Sequence, residues 1–223
     1  RQIGKMARRT AKKVVEGEES LRIKKTDVSD YLGLPRYEDD VIGDHPEIGV
    51  VNGWAWTEVG GEILHIEANT MPGHGGVQMT GSLGNVMKES AVTAISYLRS
   101  NADRFGIPGN FYASQDVHIH MPEGAVPKDG PSAGVSIVTG LVSVLTNRPV
   151  RNDIAMTGEI TLTGRVLAIG GVKEKILAAK RYNIQTVLIP QENMKDLKEI
   201  EETLIEDMRF VPCGIRHVRD DRG

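Results

Sequence analysis

The strongest constraint in this chain is Pro127-Lys128-Asp129-Gly130-Pro131-Ser132-Ala133-Gly134, followed at once by the apolar run Val135 to Leu145 (VSIVTGLVSVL). The run has helical length and carries no charge, so it predicts a helix buried in a core. Proline and glycine around Ser132 impose a tight, special backbone path just before it. Ser132 therefore stands where a loop enters the first turn of a core helix. Unpaired backbone N–H groups and the positive end of the helix dipole converge there. A hydroxyl beside free N–H donors is half of an acyl-transfer site, because such donors hold the oxyanion formed after attack. A serine in this position is more often an ordinary N-cap, worth about 1 kcal/mol of stability. What separates the two readings is a partner able to take the hydroxyl proton.

With 223 residues, 39% of them hydrophobic, the chain can bury one main domain and carry an appendage. A net charge of −3 gives no reason to invoke nucleic acid or a membrane surface. No apolar run approaches the length of a membrane span, and no signal peptide is recognisable. The single cysteine, Cys213, excludes an internal disulfide and fits a reducing compartment. The chain begins at Arg1, in what reads as the middle of a helix, so a piece of a longer protein is expected.

Residues 1–46 form the expected appendage. Ile3, Met6, Ala7, Ala11, Val14 and Val15 recur at helical spacing, with Arg8, Arg9, Lys12 and Lys13 as the solvated face rather than a nucleic-acid surface. A short helix capped by Thr26 runs to Leu32, and Arg36 to Glu47 reads as a linker. Residues 47–223 form the main domain. Strand signals cover 49–59 and 62–69 across a Gly60-Gly61 hairpin, then 77–80. The glycine-rich loop Pro72 to Gly76 lacks the GxxxxGK[ST] arrangement, so it is no phosphate cradle. A helix is predicted from Ser82 or Gly84 to about Phe105, and a strand over 117–121. His118 and His120 share a side of that strand, but no third ligand stands at a recognisable spacing, which favours hydrogen-bonded structural histidines over zinc. Strands at 154–158 and 160–169, a helix at 172–180, a strand at 186–190, a charged helix at 194–201 and a strand at 209–212 complete the pattern. Without a regular βαβ repeat, the fold class is α+β.

The proton acceptor for Ser132 is sought in the helix after Gly170-Gly171. Lys175 has Gly171, Val172, Ala178 and Ala179 at helical neighbour positions, a small apolar surround in which an ammonium is poorly solvated. The diglycine permits another backbone to approach, and the helix start disfavours a protonated amine. An ordinary lysine, with pKa about 10.4, is no base at neutral pH, but desolvation lowers it by several units. The spacing does not separate Lys175 from Lys173, whose neighbours are also largely apolar.

PKDGPSAG at 127–134, MTGEITLTGRVLAIGGVKEK at 156–175, WTEVGGEILHIEA at 56–68, TGSLGNVMKESA at 80–91 and HIHMPEGAVPKDG at 118–130 together resemble the proteolytic domain of the Lon family of ATP-dependent proteases. The resemblance covers most of 48–212. It implies a Ser–Lys dyad, with Ser132 as nucleophile and Lys175, the second lysine of GGVKEK, as base. It implies that Thr157 steadies the lysine, that Asp129 belongs to an active-site loop that can move, and that Trp56, Glu67 and His120 surround the site. The backbone N–H groups of Ser132 and Ala133 are then the oxyanion donors. Residues 1–46 resemble the end of the helical subdomain that follows the ATPase core. ATP and Mg belong to that core, and no cofactor or metal is expected in these residues. The family further implies unfolded protein or peptide substrates, a homohexamer and a cytoplasmic location. Two departures stand out: Ala168 where a proline often precedes the Ile-Gly-Gly, and a tail from Cys213 without the expected amphipathic helix. The rival reading, a non-catalytic assembly module, has no need of Ser132, Lys175 and Thr157 together.

Overall fold

The computed structural model describes residues 2–17, 22–33, 45–57 and 60–214. Its contacts divide the chain into residues 1–40 and 41–223. In the first unit, helix α1 (Gln2–Val15) carries Arg9, whose guanidinium donates to the carbonyls of Asp30 and Tyr31 at 3.1 and 2.7 Å. Tyr31 belongs to the short helix α2 (Val28–Leu32). Thr26 does not cap that helix. Lys25–Asp27 forms a 3-10 turn, and Asp27 stands at the N-cap position, with its carboxylate accepting from the upstream Lys24 N–H at 2.9 Å rather than from the helix. The linker predicted at 36–47 lies outside the described residues up to position 44.

The second unit is built on a mixed sheet. Its strands are β1 (Val50–Thr57), β2 (Gly60–Pro72), β3 (Val77–Thr80), β4 (Gln115–His120), β5 (Ile154–Met156), β8 (Thr186–Pro190) and β9 (Arg209–Cys213), and a separate ribbon pairs β6 (Glu159–Ile160) with β7 (Val166–Leu167). The order across the sheet is β3-β4-β2-β1-β5-β8-β9. β2 is antiparallel to both neighbours, whereas β1, β5, β8 and β9 run parallel. Helices α3 (Asn85–Ser100) and α4 (Gly134–Thr146) cover one face, burying Leu64, Ile66, Ala68 and Ile137. Helix α5 (Val172–Arg181) covers the other with Trp54, Ala155, Val187 and Ile189. The α+β class read from the sequence is the observed one.

Local differences have physical causes. The helix predicted to reach Phe105 stops at Ser100, because the Asn101 side chain donates to the Tyr97 carbonyl at 2.9 Å, and Ala102–Phe105 continues as a 3-10 turn. The strand predicted over 160–169 is broken by a tight turn at Gly164, whose φ is 81°. The charged stretch at 191–199 is 3-10 rather than α, followed by α6 (Glu202–Ile205). In the glycine-rich loop, the His74 and Gly76 amides donate to the Asp116 carboxylate at 2.8 and 2.6 Å, so the loop wraps a carboxylate of its own chain.

The close backbone approach expected at the diglycine lies elsewhere. A Cβ on Gly170 meets nothing within 4 Å, and Gly171 serves by its left-handed φ of 67° at the start of α5. The tight contact is at Gly61 in the β1–β2 hairpin, where a Cβ falls 2.2 Å from the Glu174 carbonyl oxygen and 2.9 Å from the Lys175 nitrogen. Both obstacles are backbone, so Gly61→Ala must push the hairpin off α5. We expect urea denaturation to show a loss of roughly 2 kcal/mol or more for Gly61→Ala; unchanged stability contradicts the contact.

Candidate active site

The parallel strand β5 ends at Met156, and the sheet ends there between two helix starts. On one face, Ser132 leads into α4. The Ser132 carbonyl accepts the Gly158 N–H at 2.8 Å, and the Val135 N–H donates to the Gly158 carbonyl at 3.0 Å. The Ser136 hydroxyl of α4 donates to the Met156 carbonyl at 3.1 Å, fixing the helix to the strand end. On the other face, Lys175 projects from the second turn of α5. Thr157, the first residue after β5, sits between them with 0% exposure.

The three side chains form one hydrogen-bonded unit. Lys175 Nζ lies 3.2 Å from Ser132 Oγ and 3.0 Å from Thr157 Oγ1, and the Thr157 hydroxyl donates to the Ser132 carbonyl at 3.3 Å. Lys175 is 2% exposed, and burial lowers its pKa from the ordinary lysine value to about 8. Lys173 is exposed on the same helix. The unit opens into a cleft of about 620 Å³, lined by Trp54, Leu64 and Met87 together with Ala168–Gly171. Among the described residues the Ser132 and Ala133 N–H groups donate to no protein acceptor. The arrangement places a hydroxyl, a buried amine of lowered pKa and free amide donors at one mouth.

Residues 22–219 match the model of the Lon protease (S16) C-terminal proteolytic domain. The Lon protease of Finegoldia magna is 56% identical over 223 residues, covering 99% of this chain and 29% of that protein. The Lon protease of Clostridioides difficile is 55% identical over 213 residues, covering 95% of this chain and 27% of that protein. The chain belongs to the Lon proteolytic-domain family. It spans less than a third of the length of these relatives.

Within this Lon-type domain the other predicted residues separate into two places. Asp129 lines the cleft, but its carboxylate accepts from the N–H groups of Met87 and Gly130, both at 2.9 Å. Met87 lies in the first turn of α3, so Asp129 caps that helix from another segment. Glu67 and His120 face each other across β2 and β4 and line a separate cavity with Asn69, Thr80 and His118. Glu67 is three positions along β2 from the cleft residue Leu64, about 10 Å away on the opposite face. His118 Nε2 and His120 Nδ1 lie 2.9 and 2.7 Å from the Thr80 hydroxyl, so the threonine ties both rings. Trp56 stands in β1 opposite Gly61, and its side chain is outside the described set. Among the described residues no group of three or more His, Cys, Asp or Glu is placed to hold a metal, and no helix is long and apolar enough to cross a membrane.

Two residues that the sequence reading passed over hold the Ser132 loop. Ser90 of α3 donates to the Pro131 carbonyl at 3.1 Å. Lys128 is buried, with Nζ donating to the carbonyls of Glu123 and Val126 at 2.7 and 3.1 Å, while its backbone joins Ser82 and Gly84. Burial lowers its pKa, against the opposing pull of Glu123 and Glu62. The loop from 128 to 132 is thus strapped to the start of α3 on one side and to the end of β5 on the other. If Asp129 is chiefly a cap, Asp129→Ala should lower stability by about 1 kcal/mol in chemical denaturation. Unaltered stability would assign the carboxylate elsewhere.

Proposed function

We propose that this domain is a serine endopeptidase in which Ser132 is the nucleophile and Lys175 the general base. The observation that carries the reading is the buried amine 3.2 Å from a hydroxyl at a helix start, with its pKa lowered to about 8. In the deprotonated state one N–H of Lys175 donates to Thr157 Oγ1, which turns the lone pair of Nζ toward the Ser132 hydroxyl. Ser132 Oγ then attacks the peptide carbonyl carbon as Nζ takes its proton. The oxyanion is held by the backbone N–H groups of Ser132 and Ala133. The new ammonium gives its proton to the leaving amine nitrogen, and the C–N bond breaks to leave an acyl-Ser132 ester. Lys175 next deprotonates water, which attacks the ester, and the proton returns to Ser132 Oγ as the acid product leaves.

The family relationship supports protein or peptide substrates, and the cleft offers space for an extended chain but no force to unfold one. Alone, these residues therefore cut loose polypeptides and leave stably folded proteins intact. In the longer protein, we take proteolysis to be driven by ATP and Mg at a separate ATPase core, within a cytoplasmic homohexamer acting on unfolded, damaged or regulatory proteins. A non-catalytic role for the domain has no comparable support, since it leaves a buried amine and two aligned hydroxyls unexplained.

Cleavage of an unstructured fluorogenic peptide tests the assignment. Ser132→Ala should lose at least about a thousandfold in kcat/KM. Lys175→Arg keeps a charge that cannot be given up, so it should be equally inactive while folded. The wild-type rate should rise with pH through about 8, roughly tenfold from pH 7 to pH 9, as the ammonium is lost. Substantial turnover by folded Lys175→Arg protein rules out Lys175 as the base.

A further inference from the structure

Part of the cleft wall is the segment Ala168-Ile169-Gly170-Gly171, between the end of β7 and the start of α5. Two consecutive glycines give this segment no stiffness of its own, since glycine has the largest backbone freedom to lose. Ala168 and Gly170 are exposed, so packing does not hold them. Ile169 between them packs partly against the core cluster that holds Trp54, and its backbone is bound by one side chain, that of Asn193 in the 3-10 segment Gln191–Glu199.

Asn193 is 3% exposed, although its neighbours in that segment are mostly charged and solvated. Its Oδ1 accepts the Ile169 N–H at 2.9 Å, and its Nδ2 donates to the Ile169 carbonyl, also at 2.9 Å. The amide therefore pairs with Ile169 as a neighbouring strand would, using a side chain in place of backbone. The second Nδ2 hydrogen goes to the Asp196 carboxylate at 2.7 Å. That bond sets which end of the amide is the donor, since a carboxylate accepts and never donates when ionised. Nothing in the chemistry of Ser132 and Lys175 uses Asn193, yet it is buried and satisfied at three of its four hydrogen-bonding positions.

We infer that Asn193 is a positioning residue of the peptidase site, clamping the Ala168–Gly171 wall so that the cleft holds an extended peptide chain. The inference rests on the peptidase reading above. Asn193 touches neither Ser132 nor Lys175, so its effect falls on peptide binding and not on the proton transfer. The clamp acts at Ile169, six residues before Lys175 in the chain, but Lys175 is held independently by Thr157 and by its amide bond to the Gly171 carbonyl at 3.0 Å.

The test compares Asn193→Ala and Asn193→Asp with the wild-type chain, in two assays. One is steady-state cleavage of an unstructured peptide of about ten residues. The other is the labelling rate of Ser132 by a small fluorophosphonate, which needs the nucleophile and base but little of the wall. Asp fills the same volume as Asn but cannot donate to the Ile169 carbonyl, so both variants should raise KM by about tenfold. Their kcat should stay within about twofold, their pH limb near that of the wild type, and their labelling rate unchanged. A folded Asn193→Asp protein with wild-type KM overturns the clamp, and so does a KM rise matched by an equal loss of labelling, which marks a general disturbance of the dyad. If Asn193→Ala does not fold, Asn193→Asp together with Asp196→Asn decides, the latter keeping the clamp but weakening its orientation and so raising KM by a smaller factor. Wild-type protein that shows neither cleavage nor labelling refutes the peptidase reading itself, a result distinct from variants that match an active wild type.

Discussion

Everything at this site depends on keeping one amine out of water. The Lys175 side chain is buried between the end of β5 and the start of α5, and two hydroxyls are its hydrogen-bond partners in place of a carboxylate. Burial without a counter-charge disfavours the ammonium, which brings the pKa to about 8. A nearby carboxylate would undo this, because an opposite charge favours the protonated form. The placement of Asp129 on the amides of Met87 and Gly130 is consistent with that requirement: the acidic group next to the nucleophile is spent on a helix end.

The fold meets the requirement by ending several elements at one point. Strand β5 ends beside Gly53, midway along the parallel strand β1, and helices on opposite faces of the sheet begin there. Thr157 is the hinge of the arrangement, bonded to Lys175 on one face and to the Ser132 carbonyl on the other. Gly61 completes it by letting the β1–β2 hairpin lie directly against the backbone of Glu174 and Lys175. The nucleophile loop is fixed from both ends by backbone and buried side chains, among them Ser90 and Lys128. Such preorganisation matters because a misplacement of about 1 Å at a nucleophile costs orders of magnitude in rate.

How much of this was legible in the sequence follows from how local each feature is. The loop at 127–134 and helix α4 were readable because an uncharged apolar run of eleven residues is too long for an ordinary buried strand and reads as a buried helix. Helix α5 was readable too, but not which lysine turns inward: Lys173 and Lys175 have similar neighbours along the helix. The sheet end and Gly61, far away in the chain, bury one and leave the other exposed. The bonding of Asp129 to α3 spans 42 positions and leaves no local trace. Asn193 was hidden for the same reason, as a polar residue in a charged segment that reads as solvated surface. Glu67 and His120 show the converse case. A family likeness grouped them with the site, whereas strand alternation and the β2–β4 register direct them to a different cavity.

The central claim is that Lys175 is a base because it is buried, and its own titration tests this most directly. In protein labelled with 13C at the lysine ε-carbon, one resonance should titrate near pH 8, apart from the exposed lysines at about 10.4, and should vanish in Lys175→Arg. A Lys175 resonance that titrates with the exposed lysines would contradict the account.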